Sequence, residues 1–309
     1  MQDPPKQDLT ESANPQLTVK RKNTFGLKSN WQLAAGVPVF IVVILMAIFA
    51  SQIATHDPQT TNVQRRFEVP GTTYMEIDED GREILGRNIL GTDELGRDIF
   101  SRLVFGARTS MVVALSATMI AAFLGIVIGL ITGYFGGKID ALIMRLIDIM
   151  LAFPGMLLAL FIVAIIGRSM LTVVLAIAIF GVPSFSRIVR GSVLGVKKLE
   201  YIDAIRAMGA SDSRIMFGHI FPNILSPIIV QAALNIGIAI VVTAALSFLG
   251  VGIQPPTPEW GTMLYNGRQD MWRAPHLVMI PGIMIFIVVL AINLIGDGLR
   301  YALEPKKTH

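Results

Sequence analysis

Residue types that commonly do chemistry are few in this chain, and their spacing does not suit it. There is no cysteine, which excludes disulfides, thiolate catalysis and cysteine metal sites. The four histidines, His56, His219, His276 and His309, show no ligand spacing of the HExxH kind, so no metal site is expected. The nearest approach to a phosphate-cradling loop is Gly136-Gly137-Lys138-Ile139. It lacks the leading glycine at the right distance and the Ser or Thr after the lysine, so the chain cannot hold a nucleotide by that route. The segment with the most information is 199–222. Tyr201, Ala204, Ile205 and Met208 recur at i, i+3, i+4 and i+7, giving one apolar helical face with Glu200, Asp203 and Arg206 elsewhere on the surface. Gly209 follows as a natural left-handed stop, and Ser211 or Asp212 can cap a second helix running through Arg214 and Met216. Pro222 and Pro227 fall near the start of the next apolar run, where the first turn tolerates a missing N–H. A short exposed helix with an apolar face needs something to bury that face: lipid headgroups, the chain's own helix ends, or a partner.

The elements that must position this segment are membrane helices. The chain has 309 residues, 53% hydrophobic and 16% charged, against about 25% charged for an ordinary soluble domain. The 29 residues from 109 to 137 carry no formal charge, whereas spanning a bilayer takes roughly 20 apolar residues. The protein is therefore expected to be integral to a membrane and all-α, with six spans at 29–55, 109–135, 149–167, 169–186, 224–250 and 277–296. The third and fourth are separated only by Arg168 and should form a tight hairpin. The first run is too long for a signal-peptide core and reads as a retained anchor. Residues 1–28 read as a disordered polar tail. The remaining expected divisions are an extracytoplasmic segment, 56–108, and a core domain, 109–305, with a cytoplasmic loop at 187–219.

With both termini cytoplasmic, all nine lysines and seven of the seventeen arginines lie inside. Seven of the ten positive charges left outside fall in 56–108, a long segment where the charge rule is weak. That segment also carries acidic Glu76, Asp78, Glu79, Asp80 and Glu83. The net charge of +4 comes from residues flanking apolar runs, an orientation signal rather than a nucleic-acid surface.

Inside the second span, Gly125, Gly129 and Gly133, followed by Gly137, lie four residues apart, with Ala121 one step earlier. Such a row lets a neighbouring helix approach backbone to backbone. No Asp, Glu, Lys or Arg sits in the middle of any span. Ion-coupled transporters and pumps usually place ionisable groups there, so if transport is active, its energy is expected from another subunit.

Asp203-Ala204-Ile205-Arg206-Ala207-Met208-Gly209, followed after twelve residues by Pro222, resembles the EAA loop of ATP-binding-cassette (ABC) importer permeases. Asp203, Ile205, His219 and Phe221 depart from the usual pattern. Three more stretches resemble the dipeptide/oligopeptide group: Gly91 to Asp98 with Ser101-Arg102 and Gly106 to Arg108; Gln254 to Gly261; and Asn293 to Arg300. Their order is that of the C-type (DppC/OppC-like) subunit, over about residues 25–305. Thr243 stands where many relatives carry an acidic residue.

The resemblance implies a type I ABC importer permease fold in a bacterial plasma (inner) membrane, surrounded by lipid. It implies four kinds of function: pairing with a second, B-type permease subunit; seating Glu200, Asp203, Ala204, Arg206, Gly209 and Pro222 against one of two ATPase subunits; docking an extracytoplasmic solute-binding protein; and carrying di- or oligopeptides. Glutathione is the alternative cargo, from the look of Asn266 to His276, with nickel or metal–opine complexes after it. The chain itself would be no enzyme and hold no cofactor, ATP and Mg being bound by the partners. Segments 56–108 and 253–275, with Trp260 and Trp272 expected to be exposed, are candidate contacts for the binding protein; Arg268 and Asp270 are expected at a solvated rim. A stand-alone channel or secondary transporter, or a membrane enzyme, are the readings of another class. The short cytoplasmic helices and the charge-free spans count against the first, and the lack of a nucleophile–base or metal constellation against the second.

Overall fold

The computed structural model describes residues 30–77 and 83–303. The tail 1–28, Asp78 to Asp80 of the acidic stretch, and Lys306 and Lys307 lie outside the described residues. Among those described are α1 (Trp31–Ile48), α2 (Ala50–Ile53), strands β1 (Thr73–Ile77) and β2 (Glu83–Arg87), α3 (Ile99–Phe135), α4 (Gly137–Ala152) and α5 (Gly155–Ile166). They continue with α6 (Met170–Lys197), α7 (Glu200–Ala207), α8 (Asp212–Ile215), α9 (Phe221–Asn223), α10 (Leu225–Phe248), α11 (Trp260–Gly267) and α12 (His276–Leu303). One end of the bundle carries the β1–β2 hairpin and α11, the other α7 to α9.

Five helices, α1, α3, α6, α10 and α12, are long and apolar enough to cross a membrane. The expected span at 149–167 is different: it is a bent pair, α4 and α5, meeting at 89°. Proline explains the break. Pro154 has no N–H to continue a ladder and forces Phe153 into extended backbone, at φ −86° and ψ 137°. With twelve residues, α5 is only about 18 Å long, short of a full crossing by itself. The stretch 138–148, expected to connect spans, is helix α4. The tight turn at Arg168 is present, with the Ser169 hydroxyl accepting from the Thr172 N–H to cap α6.

Two helices also outrun their apolar stretches. α3 begins at Ile99, ten residues before the expected start, and α6 continues to Lys197, well into the expected loop. In each case paired charges let the helix continue. Asp98 caps α3 by accepting from the Ser101 N–H, and the Arg102 guanidinium, buried in its first turn, donates to the Pro58 carbonyl at 2.9 Å and lies 3.5 Å from Asp93. On α6, Arg190 makes a two-pronged bond to Asp140 of α4 at 2.6 Å for each arm, and Arg187 reaches Asp148 at 2.6 Å.

The centre of the bundle is the contact of α3 with α6. A Cβ added at Gly125 would fall 2.3 Å from the Phe185 Cβ; at Gly129, 2.6 Å from the Val189 Cβ and 2.8 Å from the Ser186 carbonyl; at Gly133, 2.7 Å from the Val193 Cβ. One turn further on, Ala121 stands over Gly181. Two rows spaced by four thus mesh, with side chains of α6 resting on the bare backbone of α3. Gly137 is not part of this row. It opens α4 at φ +63° with nothing near its Cβ position, because Gly136 has already turned the chain away. At the other side, Asn30 both caps α1 and donates to the Gly298 carbonyl at 2.8 Å, tying α1 to α12.

Replacing Gly129 by valine adds bulk where real Cβ atoms essentially never sit. Gly129→Val should lower the unfolding midpoint of the detergent-solubilised chain by several degrees, an overpacking cost of about 1–3 kcal/mol. Gly191→Ala, with nothing within 4 Å of its Cβ position, should leave the midpoint unchanged.

Candidate functional site: a short helix seated on the end of the bundle

The segment after α6 folds as expected in outline. Leu199, in extended conformation, starts α7, with Glu200 and Asp203 in its first turn and Arg206 in its last. These charges complement the helix dipole at both ends. The Arg206 guanidinium donates to Asp203 at 3.2 Å on the exposed surface. It is pushed above its ordinary pKa, first by a hydrogen bond with the Tyr134 side chain.

Gly209 ends the helix in the left-handed conformation at φ +85°. The Gly209 N–H donates to the Arg206 carbonyl at 3.0 Å and the Ala210 N–H to the Ile205 carbonyl at 3.3 Å. These two bonds make a Schellman motif, a common way for a helix to stop at glycine. Its apolar companion contact is also present, since Ile205 and Ala210 pack on the same cluster. The Ser211 hydroxyl then accepts from the Arg214 N–H and caps α8. A π-helical turn, Met216–Ile220, leads to α9, which contains Pro222. The Asn223 amide donates to the Tyr201 hydroxyl at 3.1 Å and the His219 carbonyl at 2.6 Å, so the start of α7 is bonded to the entry of α10.

The apolar face of α7 divides in two. Ile202 is fully buried and Ile205 half-buried, in a cluster with Leu130, Val189, Val193, Ile215 and Ile220. Tyr201, Ala204 and Met208 point away from that cluster, and Met208 is 78% exposed. Sequence periodicity grouped Ile205 with the outward three and missed Ile202, the residue that seats the helix. The cluster is continuous with the α3–α6 seam, because Val189 and Val193 belong to both. A further tie comes from Tyr134, whose hydroxyl donates to Asp212 and whose carbonyl accepts from Lys197.

The opposite end holds a different construction. Asp93 accepts from the Arg97 N–H at 2.9 Å and the Arg97 Nε at 2.7 Å, while Arg97 also reaches Glu94 at 2.9 Å. Burial, and then the neighbouring Asp93 charge, pushes the Glu94 carboxyl up. Trp260, expected to be exposed, is fully buried: its indole N–H donates to the Leu103 carbonyl at 3.0 Å and its ring lies over Gly106. The reason is local. Glu259 caps α11 by accepting from the N–H groups of Gly261 and Thr262, both at 2.8 Å, and this turns Trp260 inward against α3. Trp272 is 93% exposed, as expected. Arg268 is half-buried; it stacks on Tyr265 at 3.8 Å and donates to the Phe248 carbonyl on the exposed surface. Thr243 is fully buried, its hydroxyl returned to the Ala239 carbonyl at 2.7 Å.

The geometry so described has counterparts among known proteins. Residues 125–309 match the family of binding-protein-dependent transport system inner membrane components. The chain belongs to that family. It is 44% identical, over 98% of its length and 94% of the relative's, to a dipeptide transport system permease protein DppC of Alkalihalophilus pseudofirmus. It is 43% identical, over 91% of its length and 88% of the relative's, to a glutathione transport system permease protein GsiD of Pectobacterium atrosepticum. Among solved structures, an inward-facing MetNI methionine ABC transporter chain superposes with a TM-score of 0.51 at 20% identity, over 67% of this chain and 98% of that one. An amino acid ABC transporter solved with histidines gives 0.52 at 16%, over 66% and 95%. The fold is thus that of an ABC importer permease. The chain is an inner-membrane transport component.

The Glu259 carboxyl is buried and pushed up by desolvation, against its hydrogen bonds to Gly261 and Thr262. A carboxyl whose folded pKa is raised binds its proton more tightly in the fold. Its contribution is therefore largest below the unfolded value of 4.5 and is lost as pH rises through the folded value. Glu259→Gln should remove this term. The wild-type midpoint should fall relative to that of the variant as pH rises above about 4.5, and the difference between them should level off at lower pH.

Proposed function

We propose that this chain is one of two permease subunits of an ABC importer for short peptides, driven by separate ATPase subunits that engage α7. The observation that carries this reading is the division of the α7 face. Ile202 and Ile205 anchor the helix to the α3–α6 seam, while Tyr201, Ala204 and Met208 stay exposed beside Asp203 and Arg206. A rigid, Schellman-capped helix with an outward apolar face suits a groove on a moving partner, because packed interfaces switch between discrete arrangements. Glu200, Asp203, Ala204 and Arg206 are the proposed contacts, Gly209 is the fixed stop and Pro222 sets the return to α10. On this reading, the α7 end and both termini are cytoplasmic, and ATP and Mg are bound by the partners.

The hairpin end is proposed to face the solute-binding protein. It presents Trp272 and, on one face of the β-hairpin, the paired Met75 and Leu85, 67% and 70% exposed. Trp260 leaves the set of contacts because it is buried. For cargo, a relative named for dipeptides and one named for glutathione stand at 44% and 43% identity. Both cargoes are short peptides with free ends, and that is the class proposed.

Affinity capture of the tagged chain from its native membranes should recover a second permease and ATPase subunits. In the recovered complex, Gly209→Val should leave assembly intact while ATP-dependent uptake falls at least tenfold. A β-branched residue in the left-handed region costs about 1–2 kcal/mol, and it would displace Tyr201, Ala204 and Met208 relative to the bundle. Uptake at the wild-type rate in Gly209→Val would show that α7 is not the coupling element. Recovery of the chain alone, transporting without ATP, would replace the whole reading by a secondary transporter.

A further inference from the structure

The spans have no central ionisable residue, yet one face of the bundle is not apolar. A cavity of about 490 Å³ opens between α6, α10 and α12 at the α7 end, lined by Ser226, Gln231, Asp297 and Arg300 among apolar Val230 and Leu234. A second hollow of about 370 Å³ lies further along α10 and α12, with Asn293 at its edge and Val241, Phe286 and Val289 on its walls. Asn293, Asp297 and Arg300 are spaced i, i+4 and i+7, so they form one stripe on α12. The stripe reaches membrane depth: a Cβ added at Gly237, the middle of α10, would lie 3.4 Å from the Asn293 amide oxygen. Asn293 and Asp297 are both exposed.

An exposed carboxamide at that depth is costly against hydrocarbon, and polar side chains in spans accordingly face protein or a water-filled path. The other central amide, Asn235, is buried and donates to the Thr118 hydroxyl at 3.1 Å. Asn293 lines the second hollow instead. Over about two helical turns of α12, the two hollows are lined by a carboxylate, a guanidinium and two carboxamides.

We propose that the trough between α10 and α12 is a cargo-binding wall for a short zwitterionic peptide. Asp297 receives the terminal ammonium, Arg300 the terminal carboxylate and Gln231, in the same cavity, the peptide amide, while Asn293 stands beyond the ammonium at the edge of the second hollow. Arg300 suits the task because its planar fork matches a carboxylate. The apolar hollow beyond Asn293 takes side chains without selecting among them. This assignment rests on the peptide reading above and adds to it the residues of this chain that meet the cargo.

The absence of cysteine gives a direct test. In the complete importer purified from native membranes, single Asn293→Cys and Asp297→Cys variants are treated with a charged, membrane-impermeant methanethiosulfonate. Phe123→Cys, on α3 and outside the trough, is the reference for an apolar exposed site, Phe123 being 67% exposed. The reactive species is the thiolate, which apolar surroundings suppress, so the trough cysteines should react roughly tenfold faster or more than Phe123→Cys. Saturating L-alanyl-L-alanine should slow their modification, and its N-acetylated amide should not. Separately, Asp297→Asn and Arg300→Gln should each reduce dialanine uptake about tenfold, the loss of one charge-assisted bond. ATPase activity stimulated by the binding protein should be retained.

Equal modification rates at all three positions, or no protection by dialanine in an importer that carries it, would overturn the wall. Uptake unchanged in both charge variants would do the same. A wild-type importer that carries neither dialanine nor glutathione would instead remove the peptide reading on which the wall rests.

Discussion

The structure depends on the close approach of α3 and α6. Helices in lipid have no hydrophobic force to join them, because hydrocarbon is as apolar as leucine. What remains is contact, and contact between backbones needs bare backbone. Gly125, Gly129 and Gly133 supply it over three consecutive turns, and Phe185, Val189 and Val193 fill it. The seam makes one stiff body from the two helices that carry both functional ends. α3 starts at the buried Asp93–Arg97–Arg102 node and finishes at Gly136; α6 starts at the Ser169 turn and delivers the chain to α7.

That arrangement explains why α7 is seated where it is. Ile202 could have been buried against the headgroup region or a flexible loop. It lies instead among Val189, Val193 and Leu130, residues of the seam itself or its flank. On the proposed reading, a partner that moves α7 therefore pushes on the stiff pair and not on a tether. The Tyr134 contacts to Asp212 and Lys197 add polar cross-links at the same level. At the far end, the Trp260 indole bonded to Leu103 fixes α11 to the first turns of α3, so the exposed hairpin-end surface is carried by the same body.

Much of this was legible in the sequence, and the failures have physical causes. Span positions followed from charge-free runs, because lipid tolerates few charges. Their lengths did not, because Arg102, Arg187 and Arg190 find carboxylate or carbonyl partners that a one-dimensional reading cannot supply. The α4–α5 bend could have been suspected from Pro154, whose effect on Phe153 is local, but an unbroken apolar run outweighed it. The Gly209 stop and the Ser211 cap were readable because caps are local chemistry. Which side of α7 faces the bundle was not, since both sides are apolar and only the three-dimensional position of Val189 and Val193 separates Ile202 from Met208. Trp260 failed for a similar reason. Loop position suggests exposure, while the Glu259 cap that turns the ring inward depends on three residues acting together.

The polar stripe of α12 shows a different limit. Asn293, Asp297 and Arg300 were visible as part of a family-like stretch, and their spacing by four and three was there to be counted. A search for ionisable groups in the middle of spans passes over them, because Asn carries no charge and the two charged residues lie towards the helix end. Depth in a bilayer is not position in an apolar run: Asn293 is late in the run 277–296, yet it lies near the middle of α12 and opposite the centre of α10. The offset arises because α12 extends past the end of the apolar run, to Leu303, with Asp297 and Arg300 on its exposed face. On the proposed reading, a wall for short peptides has reason to be built this way. Recognition of the peptide's common ends asks for one acid, one guanidinium and neutral amides, and central charges that would bind a cargo too tightly to release are left out.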